Sequence, residues 1–254
     1  MGDNIANIGA IRYLLEYYAE IYFVCHDNSL KNLEILYTNK RVHFIPTHCN
    51  NESVDYHAVL DPIYDLPDTD VLISGFCFTP FYATKITNTK LINRKKLTNY
   101  RIQPRYDFIR IFYEHINLDL SIYYNYFNIE STKQSIDMYN LIKNYTIIFT
   151  HAKCSLRTIN LDTIVQKHIT DNNKIIICSD HNVYPPSHPH YEIANKFINQ
   201  LVAYYIDIIK QSKYIYIIDS CFSPIVLPLL NSGQLQTIEC QIFHRDDDHI
   251  IDWN

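Results

Sequence analysis

Three stretches of this chain carry β-branched and aromatic residues with no polar alternation: Thr146-Ile-Ile-Phe-Thr150, Lys174-Ile-Ile-Ile-Cys178 and Tyr214-Ile-Tyr-Ile-Ile218. A strand with one face in water alternates apolar and polar residues. One that does not alternate is covered on both faces, which is the condition of a parallel sheet between helices. Each run ends in a polar tip, at 150–157, 178–184 and 219–223. Helical spacing at Asp162–His168 and across Tyr191–Gln211 fills the intervals, as in βαβ units. Parallel strands all present their carboxyl ends at one sheet edge, where ligands bind in open α/β folds. The expectation is therefore an α/β chain whose three tips converge.

The N-terminal half repeats the pattern less regularly. Ile5, Ile8, Ile11, Leu14 and Leu15 recur at three- and four-residue spacing, which predicts one amphipathic helix over 4–19. Strands are expected at 21–25, 42–45 and 71–74, with a helix at 29–37. A polar loop is expected over 79–105 and a helical connector over 106–126. Residues 131–139 are too polar to assign, and a last strand is expected at 236–240.

At 254 residues the chain can bury one large α/β core or two of Rossmann size. A net charge of −5 without a Lys/Arg stripe argues against nucleic acid as a partner. Seven cysteines with no Cys-x-x-Cys pair point to free thiols in a reducing compartment. No window has the roughly 18 uncharged apolar residues of a membrane span, and the first residues lack the pattern of a signal peptide. The expectation is a cytoplasmic protein.

The tips carry recognisable chemistry. Thr150, His151, Lys153, Ser155 and Arg157 combine hydroxyls and cations, and the Arg157 fork suits two phosphate oxygens. Asp219, Ser220 and Ser223 either cap the following helix or offer oxygens to a ligand, and the helix start behind them favours phosphate. Cys178, Asp180, His181, His188 and His190 are metal-ligand types, but their spacing matches no zinc pattern, and no metal is expected. Cys154 beside His151, or Cys221 with a thiol acidified at a helix start, are nucleophile candidates with no base fixed next to them.

Gly2-Asp3-Asn4-Ile5, the helix containing Ile11-Arg12-Tyr13-Leu14, the strand at Ile21, and the late helix–strand–Asp219-Ser220–helix succession together resemble the heptosyltransferase-like GT-B glycosyltransferases of family 9. The richness in Asn, Ile and Tyr is also similar to that of large DNA virus proteins, which would put the chain in a host cytoplasm. The resemblance implies two Rossmann-like domains facing a cleft, 1–140 on the acceptor side and 141–254 binding a nucleotide-sugar. It implies metal-independent transfer of the sugar to an acceptor hydroxyl, with no cofactor beyond that co-substrate. Asp3 would be the base. Arg157, the Ser220 and Cys221 amides and the helix dipole would hold the diphosphate, beside Thr150, His151 and Ser155, whose chemistry suits it, with Asp219 and Ser223 at the Ser220 tip. Asp180, His181 and Tyr184 would meet the base and ribose. In the family a strand precedes the Gly-Asp turn, whereas Met1 stands there in this chain, so the first strand of the N-terminal sheet is expected to be missing. That departure keeps open a catalytically silent binding or structural relative, beside a sugar-nucleotide epimerase or a pyruvyl transferase on the same fold.

Overall fold

The computed structural model describes residues 1–47, 68–72, 74, 90–91, 106–155, 157–244 and 250–253. They form a mixed α/β structure with parallel sheets in two compact units, Asp3–Asn128 and Ile129–Asn254.

The first unit opens with helices α1 (Gly2–Ala6) and α2 (Ile8–Leu14), then β1 (Ile21–His26), α3 (Asp27–Leu36) and β2 (Val42–Thr47). Short strands β3 (Asp70–Val71) and β4 (Lys90–Leu91) follow, then α4 (Tyr106–His115) and α5 (Ser121–Tyr126). β1 and β2 pair in parallel from Ile21↔Val42 to His26↔Thr47, and β3 pairs in parallel with β4. Residues 2–6, which include the Gly2-Asp3 pair, are helical.

The single helix expected over 4–19 is divided at Asn7. Its side-chain amide donates to the Asp3 carbonyl at 2.9 Å, a local bond that competes with the helical ladder. Tyr113 of α4 spans the break: its hydroxyl donates to the Ala6 carbonyl at 2.9 Å and accepts from the Ala10 amide at 3.1 Å. At Gly9 a Cβ would lie 2.9 Å from both the Ile122 carbonyl and the Tyr113 hydroxyl, so glycine is what lets α2 approach α5 this closely. The helix expected over 106–126 is two helices because Asn117 adopts a φ of 59°, a left-handed state that Asn tolerates better than most residues. Of the loop expected over 79–105, only 90–91 lie among the described residues, and they form β4.

The second unit contains α6 (Lys133–Asn140), β5 (Thr146–His151), α7 (Asp162–His168), β6 (Lys174–Cys178) and α8 (Tyr191–Asn195). After a 3-10 turn at Val202–Tyr205 come α9 (Ile206–Gln211), β7 (Tyr214–Ile218), α10 (Ser223–Asn231), β8 (Glu239–Phe243) and β9 (Ile250–Trp253). The strand order is β6-β5-β7-β8-β9. The first four are parallel, and β9 closes the edge antiparallel to β8. Ile147, Ile148 and Phe149 of β5, Ile175 to Ile177 of β6 and Ile215 to Ile218 of β7 are all buried, as the unalternated runs require.

Three expectations need correction here. Residues 133–140 are helical because Thr132 and Ser135 form a reciprocal capping box. Ser131 and Ser135 both donate hydroxyls to Asp207 of α9, which ties 129–140 to the second unit. The two units therefore divide between Asn128 and Ile129, before α6, rather than at 140/141 as expected. The helix expected over 191–211 is interrupted at Asn199, whose φ of 54° turns the chain and sends its amide to the Ser179 carbonyl at 2.8 Å. The strand expected at 236–240 begins three residues later, because the Thr237 hydroxyl is occupied with the Lys213 and Glu239 carbonyls, and it is followed by β9.

The Phe149 ring is fully buried, 5.6 Å from Tyr205 and 5.1 Å from Phe222. Phe149→Ala is expected to cost about 3–5 kcal/mol in urea unfolding. Ile136→Ala, at a side chain 44% exposed, should change stability by no more than about 0.5 kcal/mol.

Candidate functional site

β5, β6 and β7 lie side by side and parallel, so their carboxyl ends emerge together. His151, the last residue of β5, is where the three tips meet. Its Nδ1 is 2.7 Å from Ser179 Oγ and 3.1 Å from Asp180 Oδ1, both just beyond β6. Its ring lies edge-on to Phe222, beyond β7, at 4.8 Å between centroids. Protonated at Nδ1, the imidazole donates to the β6 tip and leaves Nε2 for another partner.

The segment after His151 is a tight hairpin. Lys153 and Thr158 pair as an antiparallel bridge, and the Cys154 amide donates to the Arg157 carbonyl at 2.9 Å. The Arg157 amide in turn approaches Cys154 Sγ at 3.5 Å. Ser155 is exposed at the bend and Arg157 is half-buried. Asp180 holds this hairpin to β6: Oδ2 accepts from the Ala152 amide at 2.6 Å and the Lys153 amide at 3.1 Å. Burial opposes ionisation of Asp180, but the His151 contact and the two amides outweigh it and hold the carboxyl below its usual range.

Beside Asp180, Cys178 Sγ and His181 Nδ1 are 3.6 Å apart. The bond to Cys178 raises His181 above its ordinary value despite partial burial. Burial works against ionisation of Cys178, yet the hydrogen bonds from His181 and Thr150 bring its thiol below the ordinary value. The pair is thus polarised towards thiolate and imidazolium. Cys178, Asp180 and His181 each bring a ligand-type atom to a group whose members lie within 4.8 Å of one another.

At the β7 tip, the Asp219 amide donates to the Phe243 carbonyl at 2.8 Å and the Asp219 side chain is buried. The Ser220 amide is used inside the turn, donating to Ser223 Oγ at 3.2 Å, so it is not offered to a diphosphate. Cys221 lacks the acidified thiol suggested by its place near a helix start. Burial pushes it up to about 11.

Two of the residues expected at the ligand face inward. Thr150 is fully buried, with its hydroxyl 3.5 Å from the Ile177 carbonyl. The Tyr184 hydroxyl accepts from the Ile176 amide at 2.7 Å, capping an edge group that β6 does not share with β5, and its ring stacks on His188 at 4.3 Å. His190 meets the Tyr145 ring edge-on at 5.0 Å. Asp3 lies exposed in the first turn of α1, in the first unit. The Asp246–Asp248 run lies outside the described residues. Sequence reasoning missed Ser179, whose hydroxyl helps fix His151, and Phe222, whose ring backs it. Their position in the tips was the available signal.

No protein-family model matches the sequence, and neither does any curated protein. Among solved structures, the glycosyl transferase family 9 protein from Veillonella parvula is similar with a TM-score of 0.54 over 96% of this chain and 82% of that one, at 11% identity. At that identity the likeness is one of fold: this chain shares with that protein a mixed α/β architecture built on parallel sheets.

Asp180 has a folded-state pKa below the usual 3.8, so it contributes stability at pH values above about 4 that is lost as pH falls through the folded value. Unfolding midpoints of Asp180→Asn should therefore lie below wild type at neutral pH and converge with it in acid. Parallel curves down to pH 2 would remove this carboxylate from the hairpin's support.

Proposed function

We propose that the chain is a glycosyltransferase that moves a sugar from a nucleotide-sugar donor to an acceptor hydroxyl, with the donor diphosphate at the strand tips of the second unit. Two findings support the reading: the meeting of three parallel strand tips at His151, and the fold shared with a family 9 protein. In this reading the two units are the two Rossmann-like halves of a GT-B enzyme. The first is the acceptor side, with Asp3 as base.

The chemistry follows from the charges. As the bond from the anomeric carbon to the diphosphate breaks, negative charge grows on the leaving oxygen. Preformed donors aimed at that oxygen lower the barrier. His181 and Arg157 add positive charge and Ser155 a hydroxyl, while His151, its Nδ1 engaged with Ser179 and Asp180, holds the tips that carry them together. Asp3 takes the proton of the attacking hydroxyl. The transfer step needs no metal, since cationic side chains answer the charge that a metal would answer elsewhere.

The exposed setting of Asp3 favours a second reading, in which the protein binds a nucleotide-sugar without turning it over. Binding and turnover separate the two. Across a panel of UDP-, GDP- and CMP-sugars, one donor should stabilise the protein by about 2.7 kcal/mol at a hundredfold excess over its dissociation constant. No shift with any nucleotide would remove both readings.

Arg157→Ala is expected to weaken donor binding about 10- to 100-fold through loss of a charge-assisted contact. Asp3→Asn should abolish turnover and leave donor affinity intact. A wild-type protein that binds donor but neither hydrolyses nor transfers it is the silent binder.

A further inference from the structure

We propose that Cys178, Asp180 and His181 form a binding site for a single Zn2+ ion at the carboxyl end of β6. The inference rests on side chains within one four-residue turn and their immediate supports, so its test does not require the glycosyl-transfer reading, in which His181 also takes part.

The geometry carries the inference. Zinc binds thiolate sulfur at about 2.3 Å and imidazole nitrogen at about 2.0 Å, and at a tetrahedral angle these two atoms lie about 3.5 Å apart. Cys178 Sγ and His181 Nδ1 are 3.6 Å apart. The Asp180 carboxylate lies in the same group, with all three ligand atoms within 4.8 Å of one another. A carboxylate has about four acceptor positions. Asp180 uses two on Oδ2 for the Ala152 and Lys153 amides and one on Oδ1 towards His151, so Oδ1 keeps a position for a cation.

The surroundings match what a metal site needs beyond its ligands. Ligating carboxylates are held in orientation by outer hydrogen bonds, and three groups hold Asp180. Cys178 is buried at the end of the apolar run of β6, which suits a soft thiolate ligand. His181 is exposed and gives solvent access. Thiolate, imidazole and carboxylate together select zinc over magnesium or calcium, which prefer oxygen ligands throughout. Three protein ligands leave the fourth tetrahedral position to water or to an anionic oxygen. The ion would clamp the β6 turn to the hairpin after β5.

The test is titration of the metal-free full-length protein with Co2+, a spectroscopic stand-in for Zn2+, followed by displacement with Zn2+. One equivalent should bind with the charge-transfer absorption of a cobalt–thiolate bond, and Zn2+ should abolish that absorption while raising the melting temperature. Cys178→Ser should lose the thiolate band. His181→Ala is the control for misfolding, since an exposed side chain can be removed with the core left intact, and it too should lose tight binding. His151→Phe, which removes an outer support of Asp180, should weaken binding roughly 10- to 100-fold. The chain has twelve histidines, so weak binding of several equivalents without a thiolate band is adventitious and overturns the proposal. An unchanged spectrum in Cys178→Ser overturns it as well.

Discussion

A parallel strand cannot return to its neighbour through a tight turn. The chain must cross back along the sheet, and the crossover delivers every strand to the same edge. This constraint organises the second unit. β6, β5 and β7 are adjacent, so residues 28 and 68 positions away from His151 along the chain, Ser179 and Asp219, leave the sheet on the same side as it does. No side chain needs to reach far. A 2.7 Å contact from His151 to Ser179 and a ring contact to Phe222 are sufficient to join the three tips, because the backbone ladder has already brought them side by side.

The same ladder explains which parts of the fold were readable in the residues. β5, β6 and β7 stood out because burial on both faces forbids polar residues between Ile147 and Phe149, Ile175 and Ile177, or Ile215 and Ile218. The helices read less well, since apolar periodicity continues across breaks that single polar residues make. Asn7, Asn117 and Asn199 each end or divide a helix through a local side-chain bond or a left-handed φ, and neither disturbs the spacing of the neighbouring Ile and Tyr residues. Residues 133–140 were obscure for the opposite reason. Their helix is specified by the Thr132–Ser135 cap and by Asp207 some seventy residues away, and only the first of these is written locally.

Within the candidate site, sequence located the tips but not the direction of their side chains. Thr150 and His151 are consecutive and so point to opposite faces of the sheet. Thr150 is consumed in packing while His151 becomes the meeting point. Tyr184 is expected to meet the base or ribose because the family resemblance places those contacts in the middle tip. An edge strand, however, leaves amides unpaired, and the Ile176 amide had a prior claim on that hydroxyl. Ser220 shows the same competition at the β7 tip, where its amide closes the turn through Ser223.

Asp180 is the residue whose role changes most between the two views. A carboxylate at a site meant for a diphosphate would repel it if its charge faced outward. Here the charge is turned inward: two hairpin amides and the His151 ring answer it, and its carboxyl is stabilised as an anion by those contacts. That charge shapes the hairpin that carries Lys153, Ser155 and Arg157, and it fixes the His151 ring. A Coulombic cost at the tip thus becomes the means by which the neighbouring cationic groups are held, and in the proposed donor site Asp180 is a support rather than a contact.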